Sequence, residues 1–135
     1  MLLVSSRNHV GVTISTKYLH QSEYLRTFTD KNSTTEIDYS VEIIVLIRTY
    51  LVRYAHLAEN IYPLKKPLPP LPFKYIVGSQ LDQYMTAAAE YLPELMSCAD
   101  YLGIKPLFEL CAAKLANQLT SGINLSTVFA SLFYY

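Results

Sequence analysis

Two cysteines, Cys98 and Cys111, and three histidines, His9, His20 and His56, carry the most reactive groups in this 135-residue sequence. A nucleophilic cysteine works as its thiolate, so it needs a basic partner and an exposed, electropositive setting. Cys98 sits in Met96-Ser97-Cys98-Ala99, inside a helical pattern with small or apolar neighbours. The histidines are scattered over the N-terminal elements, so only the fold could bring one to a thiol. A buried core cysteine is the commoner use of such a residue. None of these side chains stands in a C-x-x-C, H-x-x-x-H or H-E-x-x-H spacing, which argues against zinc. With four glycines in all, and no G-x-G-x-x-G or G-x-x-x-x-G-K, there is no phosphate-cradling loop. Glu36 and Asp38 alternate along a short strand, where a solvated face is the ordinary reading. The expectation is no catalytic residue, no metal site, no cofactor and no enzymatic activity.

The elements that would position these residues follow from hydrophobic periodicity. Leu2–Ser6 is a short apolar run, Arg7-Asn8-His9 a turn, and Val10, Val12 and Ile14 alternate as a second strand, giving an N-terminal hairpin. Ser15 or Thr16 can cap one helical stretch, and Ser22 a second that carries Tyr24, Leu25 and Phe28. A polar loop follows over 30–34, then a short third strand over 35–39. Ser40 is expected to cap a helix from Val41 to about His56. Its apolar stripe of Ile44, Ile47, Leu51 and Tyr54 is widened by Ile43, Leu46 and Tyr50, the pattern of a central helix. Residues 57–79 hold Pro63, Pro67, Pro69, Pro70 and Pro72, which predicts an extended loop with polyproline II character. From Gln80 the chain reads as helical. Pro93 and Pro106 suit first turns, Gly103 a helix end, and Asn124 the cap of a last helix.

Hydrophobic residues make up 51% and charged residues 16%, so disorder is excluded, yet the charge is too sparse for an ordinary solvated surface. Eleven Lys+Arg offset eleven Asp+Glu, which argues against nucleic acid as a partner. The longest aliphatic run, Ile43-Ile44-Val45-Leu46-Ile47, is far from the ~20 apolar residues of a membrane span. Met1-Leu2-Leu3-Val4 meets Arg7 too soon for a signal peptide, and two cysteines make no disulfide framework. A reducing setting, cytoplasm or nucleus, is expected. After Lys114 no charged side chain follows through Tyr135. Phe108, Ala112, Ala116 and Leu119 lie beside the stripe of Leu107, Leu110, Cys111 and Leu115, so this helix has two apolar faces. Leu125, Val128, Phe129, Leu132 and Phe133 form a further amphipathic stripe. Monomers rarely expose so much apolar surface, so a protein partner is expected over these last two helices, or a homodimer when the chain is unpartnered.

The segment Glu94-Leu95-Met96-Ser97-Cys98-Ala99-Asp100-Tyr101-Leu102-Gly103-Ile104-Lys105-Pro106-Leu107-Phe108-Glu109-Leu110-Cys111 resembles the Skp family, the adaptors of cullin–F-box ubiquitin ligases. Asp82-Gln83, Ala116-Asn117, Val128 and Leu132 extend the likeness, and Leu51-Val52-Arg53-Tyr54 is similar to Lys-Val-Arg-Tyr of the related elongin C. The resemblance implies an α+β BTB/POZ fold over residues 1–103 and a C-terminal helical extension over 104–135. It implies an SCF-type adaptor, cytoplasmic and nuclear, that binds a cullin near Asp100 and Tyr101. F-box helices would pack on Phe108, Ala112, Leu115, Leu119, Val128, Phe129, Leu132 and Phe133. The alternatives are an elongin C-like adaptor for another receptor box and a BTB domain that only self-associates. Asp100 replaces the family's Asn, and the Pro-rich stretch with Lys65, Lys66 and Lys74 replaces its acidic loop. The sequence carries no counterpart of the family's tryptophan-bearing final helix, which implies a smaller F-box interface or a different partner.

Overall fold

Leu3 and Ser5 alternate with Leu2 and Val4 in the first strand, β1 (Leu2–Ser5), and only the first pair is fully buried. The second strand, β2 (Gly11–Thr13), pairs with it antiparallel, with Leu3 opposite Val12. The third, β3 (Thr34–Ile37), joins the other edge in parallel, with Ser5 opposite Ile37. The order β2-β1-β3 puts the most apolar strand in the middle. Val10, expected to open the second strand, stands exposed in the hairpin turn, where His9 takes the left-handed conformation at φ 57°. The computed structural model describes residues 1–28, 33–64, 68 and 71–120, with the backbone alone for Leu119 and Thr120. Over this range the protein is mixed α+β, a small sheet packed on helices.

The inner face of the sheet, through Leu3, Val12, Ile14 and Ile37, packs with a long central helix. That helix runs as α1 (Val41–Thr49), a wide turn over Tyr50–Tyr54, and α2 (Ala55–Ile61). In the wide turn the Ala55 N–H reaches the Tyr50 carbonyl, an i to i+5 bond. The extra residue shifts the stripe, so Tyr50 and Leu51 are buried while Tyr54 is only half-covered. The expected cap is displaced: the Ser40 side chain makes no capping bond, and Asn8 Oδ1 of the hairpin turn accepts the Val41 N–H at 2.9 Å. One side chain thereby satisfies an unpaired helix donor and fixes the hairpin to the helix.

The extended loop expected over 57–79 is corrected at both ends. Helix continues to Ile61 because no breaker precedes Pro63 and Ala58 is buried. At the far end Pro72 precedes a short helix, α3 (Phe73–Val77), whose Phe73 and Val77 are buried; Gly78 at φ 94° then ends it. The next helix, α4 (Ser79–Ala87), follows at once and buries Leu81, Tyr84 and Met85. Its Tyr84 hydroxyl donates to the Leu46 carbonyl at 2.7 Å, just ahead of the wide turn.

Pro93 lies in the first turn of α5 (Leu92–Leu102), which buries Leu95, Cys98, Ala99 and Leu102. Gly103 closes it in the left-handed conformation at φ 69°, as expected. The last described helix, α6 (Lys105–Thr120), buries Leu107, Leu110, Cys111 and Ala113 in the same core and packs on α5, α2 and α4. The helix expected to start at Asn124 lies outside the described residues.

Candidate functional site

Asp100 and Tyr101 end α5 on its outer side, opposite its buried stripe, and both are exposed. Tyr101 is 50% exposed and has aromatic neighbours from two distant parts of the chain. Its ring centroid lies 5.3 Å from that of Tyr24 and 6.1 Å from that of Tyr39, and Phe28 stands edge-on to Tyr24 at 5.5 Å. The Tyr39 hydroxyl is 2.9 Å from Ser97 Oγ, one turn before Tyr101 on α5. Tyr24, foremost through its side-chain hydrogen bond, raises the Tyr101 phenol above the ordinary tyrosine range. The phenol is therefore neutral at physiological pH, a donor and acceptor on an apolar ring.

Tyr24 is placed by Ser22. The buried Ser22 hydroxyl donates to the Leu102 carbonyl at the end of α5, and its oxygen accepts the Leu25 N–H at 3.1 Å. The Tyr24 N–H also donates to the Leu102 carbonyl, at 3.1 Å. Ser22 is the expected cap of the second helical stretch, which is a short 3₁₀ turn over Leu25–Thr27. It also ties that turn to the helix that presents Tyr101.

Beside this cluster is an open depression of about 590 Å³ lined by Ser6, Arg7, Glu36, Ile37, Asp38, Tyr39, Ser97 and Tyr101. Its Arg7 is paired with two carboxylates: Arg7 Nε lies 3.1 Å from Asp38 Oδ1, and Arg7 Nη1 lies 3.6 Å from Glu94 Oε2. An aromatic centre with a polar, charged rim is the anatomy of a protein interface. Glu36 and Asp38 do face outward, as expected, but Asp38 is held by Arg7 rather than left only to solvent.

A second surface lies on α6. Phe108, Ala112 and Ala116 line a groove of about 370 Å³, closed on its other side by Tyr62, Leu64 and Leu68 of the Pro-rich stretch. That stretch is fastened to α6 by hydrogen bonds: the Leu64 N–H donates to Glu109 Oε1, and Asn117 Nδ2 donates to the Leu71 carbonyl at 3.0 Å. Leu115 is half-buried against the core. The side chain of Leu119, with Val128, Phe129, Leu132 and Phe133, lies outside the described residues. Among the described residues the two surfaces share no lining residue: α5 contributes to the first and α6 to the second.

Tyr24, Tyr39 and Ser97 around Tyr101 escaped the sequence reading, as did Tyr62, Leu64 and Leu68 in the groove. The leucines interleaved with the prolines were a usable signal, since a purely solvated linker has no use for them. The juxtaposition of Tyr24, Tyr39 and Tyr101 had no signal in sequence spacing.

The thiols are poor nucleophiles in this setting. Burial pushes both Cys98 and Cys111 up to about 12, so both are protonated at neutral pH. Among the described residues no group of three or more His, Cys, Asp or Glu could hold a metal ion, and no helix is long and apolar enough to cross a membrane. No family model matches this chain, and neither a curated protein nor a solved structure matches it.

Proposed function

We propose that this chain is a non-catalytic adaptor of a cullin-based ubiquitin ligase, built on a BTB/POZ fold and joining a cullin scaffold to an F-box receptor. One observation carries the reading. The segment Glu94–Cys111, on which the Skp resemblance rests, forms two helices that present chemically different surfaces. The aromatic cluster at Tyr101 suits the scaffold, and the apolar groove at Phe108 and Ala112 suits receptor helices. A hairpin, a third strand parallel to the first and a long central helix are in keeping with the proposed fold. The adaptor's chemistry is placement, raising the effective concentration of a substrate near the ubiquitin-carrying enzyme.

The test is to express the tagged chain in eukaryotic cells and identify what co-purifies. A cullin and F-box proteins together are expected, and Tyr101→Ala is expected to lose the cullin while keeping the F-box proteins. A different receptor class would move the assignment to an elongin C-like adaptor. Recovery of the chain alone, or only with itself, would overturn the adaptor reading.

A further inference from the structure

The central helix turns one face outward. Glu42, Val45, Arg48, Val52, Arg53 and His56 are all exposed along it, and Val45 and Val52 are each 42% exposed. The last turns of this face include the wide turn, which leaves both Val52 and Arg53 in solvent. Among the described residues no ion pair engages Glu42, Arg48 or Arg53. The Thr49 hydroxyl, between the valines, already donates to the Val45 carbonyl at 2.9 Å. None of these residues lines either surface described above.

This face is complementary to itself. An antiparallel second copy can set each Val45 against the other's Val52, with the two-fold axis between Arg48 and Thr49. In that register each Glu42 falls opposite Ala55 of the second copy, within a turn of that copy's Arg53 and His56. Symmetry makes the attractive contact twice. A parallel pair would instead oppose Glu42 to Glu42 and Arg53 to Arg53. Arg48 stands beside the axis, and its long stem can carry the guanidinium out to water. Nor do two copies repel at long range, since eleven Lys+Arg offset eleven Asp+Glu. We propose that this face docks a second copy of the chain, forming an antiparallel homodimer through Val45 and Val52, with Glu42 of each copy paired to Arg53 of the other. The proposal is independent of the adaptor reading, because it uses neither of the surfaces assigned to the cullin and the receptor.

The test is sedimentation velocity on the full chain over roughly 1–100 µM, where a monomer–dimer equilibrium is expected. Glu42→Arg and Arg53→Glu, each alone, bring like charges together at both symmetric contacts and should weaken the dimer about tenfold or more. An equimolar mixture of the two single variants should recover it as a heterodimer, because opposite charges then meet at both contacts. The double variant should recover the homodimer. Arg26→Glu, at an exposed position away from this face, changes the net charge as much as Arg53→Glu and should leave the equilibrium unchanged. A thermal melt of each variant checks the fold. If a reversal unfolds the chain, Glu42→Gln and Arg53→Gln are compared, and each is expected to weaken the dimer measurably. A chain that stays monomeric to the highest concentration would overturn the proposal. So would a dimer indifferent to these substitutions, which assigns the contact to another face, or losses that neither the mixture nor the double variant restores.

Discussion

Tyr24 and Tyr101 meet at 5.3 Å between ring centroids because Ser22, Glu23 and Tyr24 bond to the end of α5. The helix end that presents Tyr101 is thus also the anchor of the chain segment carrying its aromatic neighbour. The surface around Tyr101 is assembled from the N-terminal third and the α5 helix together, and its geometry depends on contacts beneath it.

Tyr101→Ala is expected to separate binding from stability. The ring is 50% exposed, and its contacts with two tyrosines are worth about 0.5–1.5 kcal/mol each. The melting temperature should fall only slightly, while affinity for the proposed cullin partner drops by ~2 kcal/mol or more. Titration of the purified partner into both chains, alongside a thermal melt, checks this. A steep fall in melting temperature would show that the ring chiefly holds the fold together.

Gly103→Ala tests the anchor. At φ 69° an L side chain is strained, and a Cβ there would stand 2.7 Å from Glu23 Cβ. The left-handed conformation alone costs roughly 1–2 kcal/mol, and displacing Glu23 adds to it. Denaturant unfolding should show a loss of about 2 kcal/mol or more. A loss under about 0.5 kcal/mol would mean that the 22–24 segment shifts freely.

Phe73→Ala addresses the Pro-rich stretch. Phe73 is 3% exposed, and Lys114 Nζ lies 4.9 Å from its ring centroid. Truncation should cost ~3 kcal/mol or more, as for other buried aromatics. Tyr75→Ala on the same short helix, at a residue 67% exposed, should cost little. Equal, small effects would return this end of the stretch to the status of a linker.

Stability should fall in alkaline solution. Burial raises the folded thiols of Cys98 and Cys111 from 9.0 to about 12. Groups raised in the folded state stabilise fully below their unfolded value and lose that contribution as pH climbs towards the folded one. The unfolding free energy should therefore decline from about pH 9 upward. The buried Tyr50 and Tyr84 phenols, also raised, add to the decline at higher pH. Cys98→Ala with Cys111→Ala should make the decline shallower, measured by denaturant titration at several pH values; an unchanged slope would place both thiols in solvent contact.

The sequence by itself determined the local elements. A short apolar run made Leu3 and alternation made Val12 strand residues, the 3.6-residue period made Ile43, Ile44 and Ile47 a buried stripe, and Gly103 ended α5. These follow from interactions within a few residues, which spacing encodes directly. It also showed that α6 has apolar residues on two faces. Tertiary structure decided the partnerships. Asn8 took over the cap expected from Ser40, and the wide turn at Tyr50–Tyr54 moved Tyr54 partly off the stripe. Glu109 and Asn117 converted a proline-rich loop into the wall of a groove. Ser22 brought Tyr24 to Tyr101. Each of these joins residues far apart in the chain, and such pairings are selected by whole-core packing and by the need of buried polar groups for partners, neither of which leaves a period in the sequence.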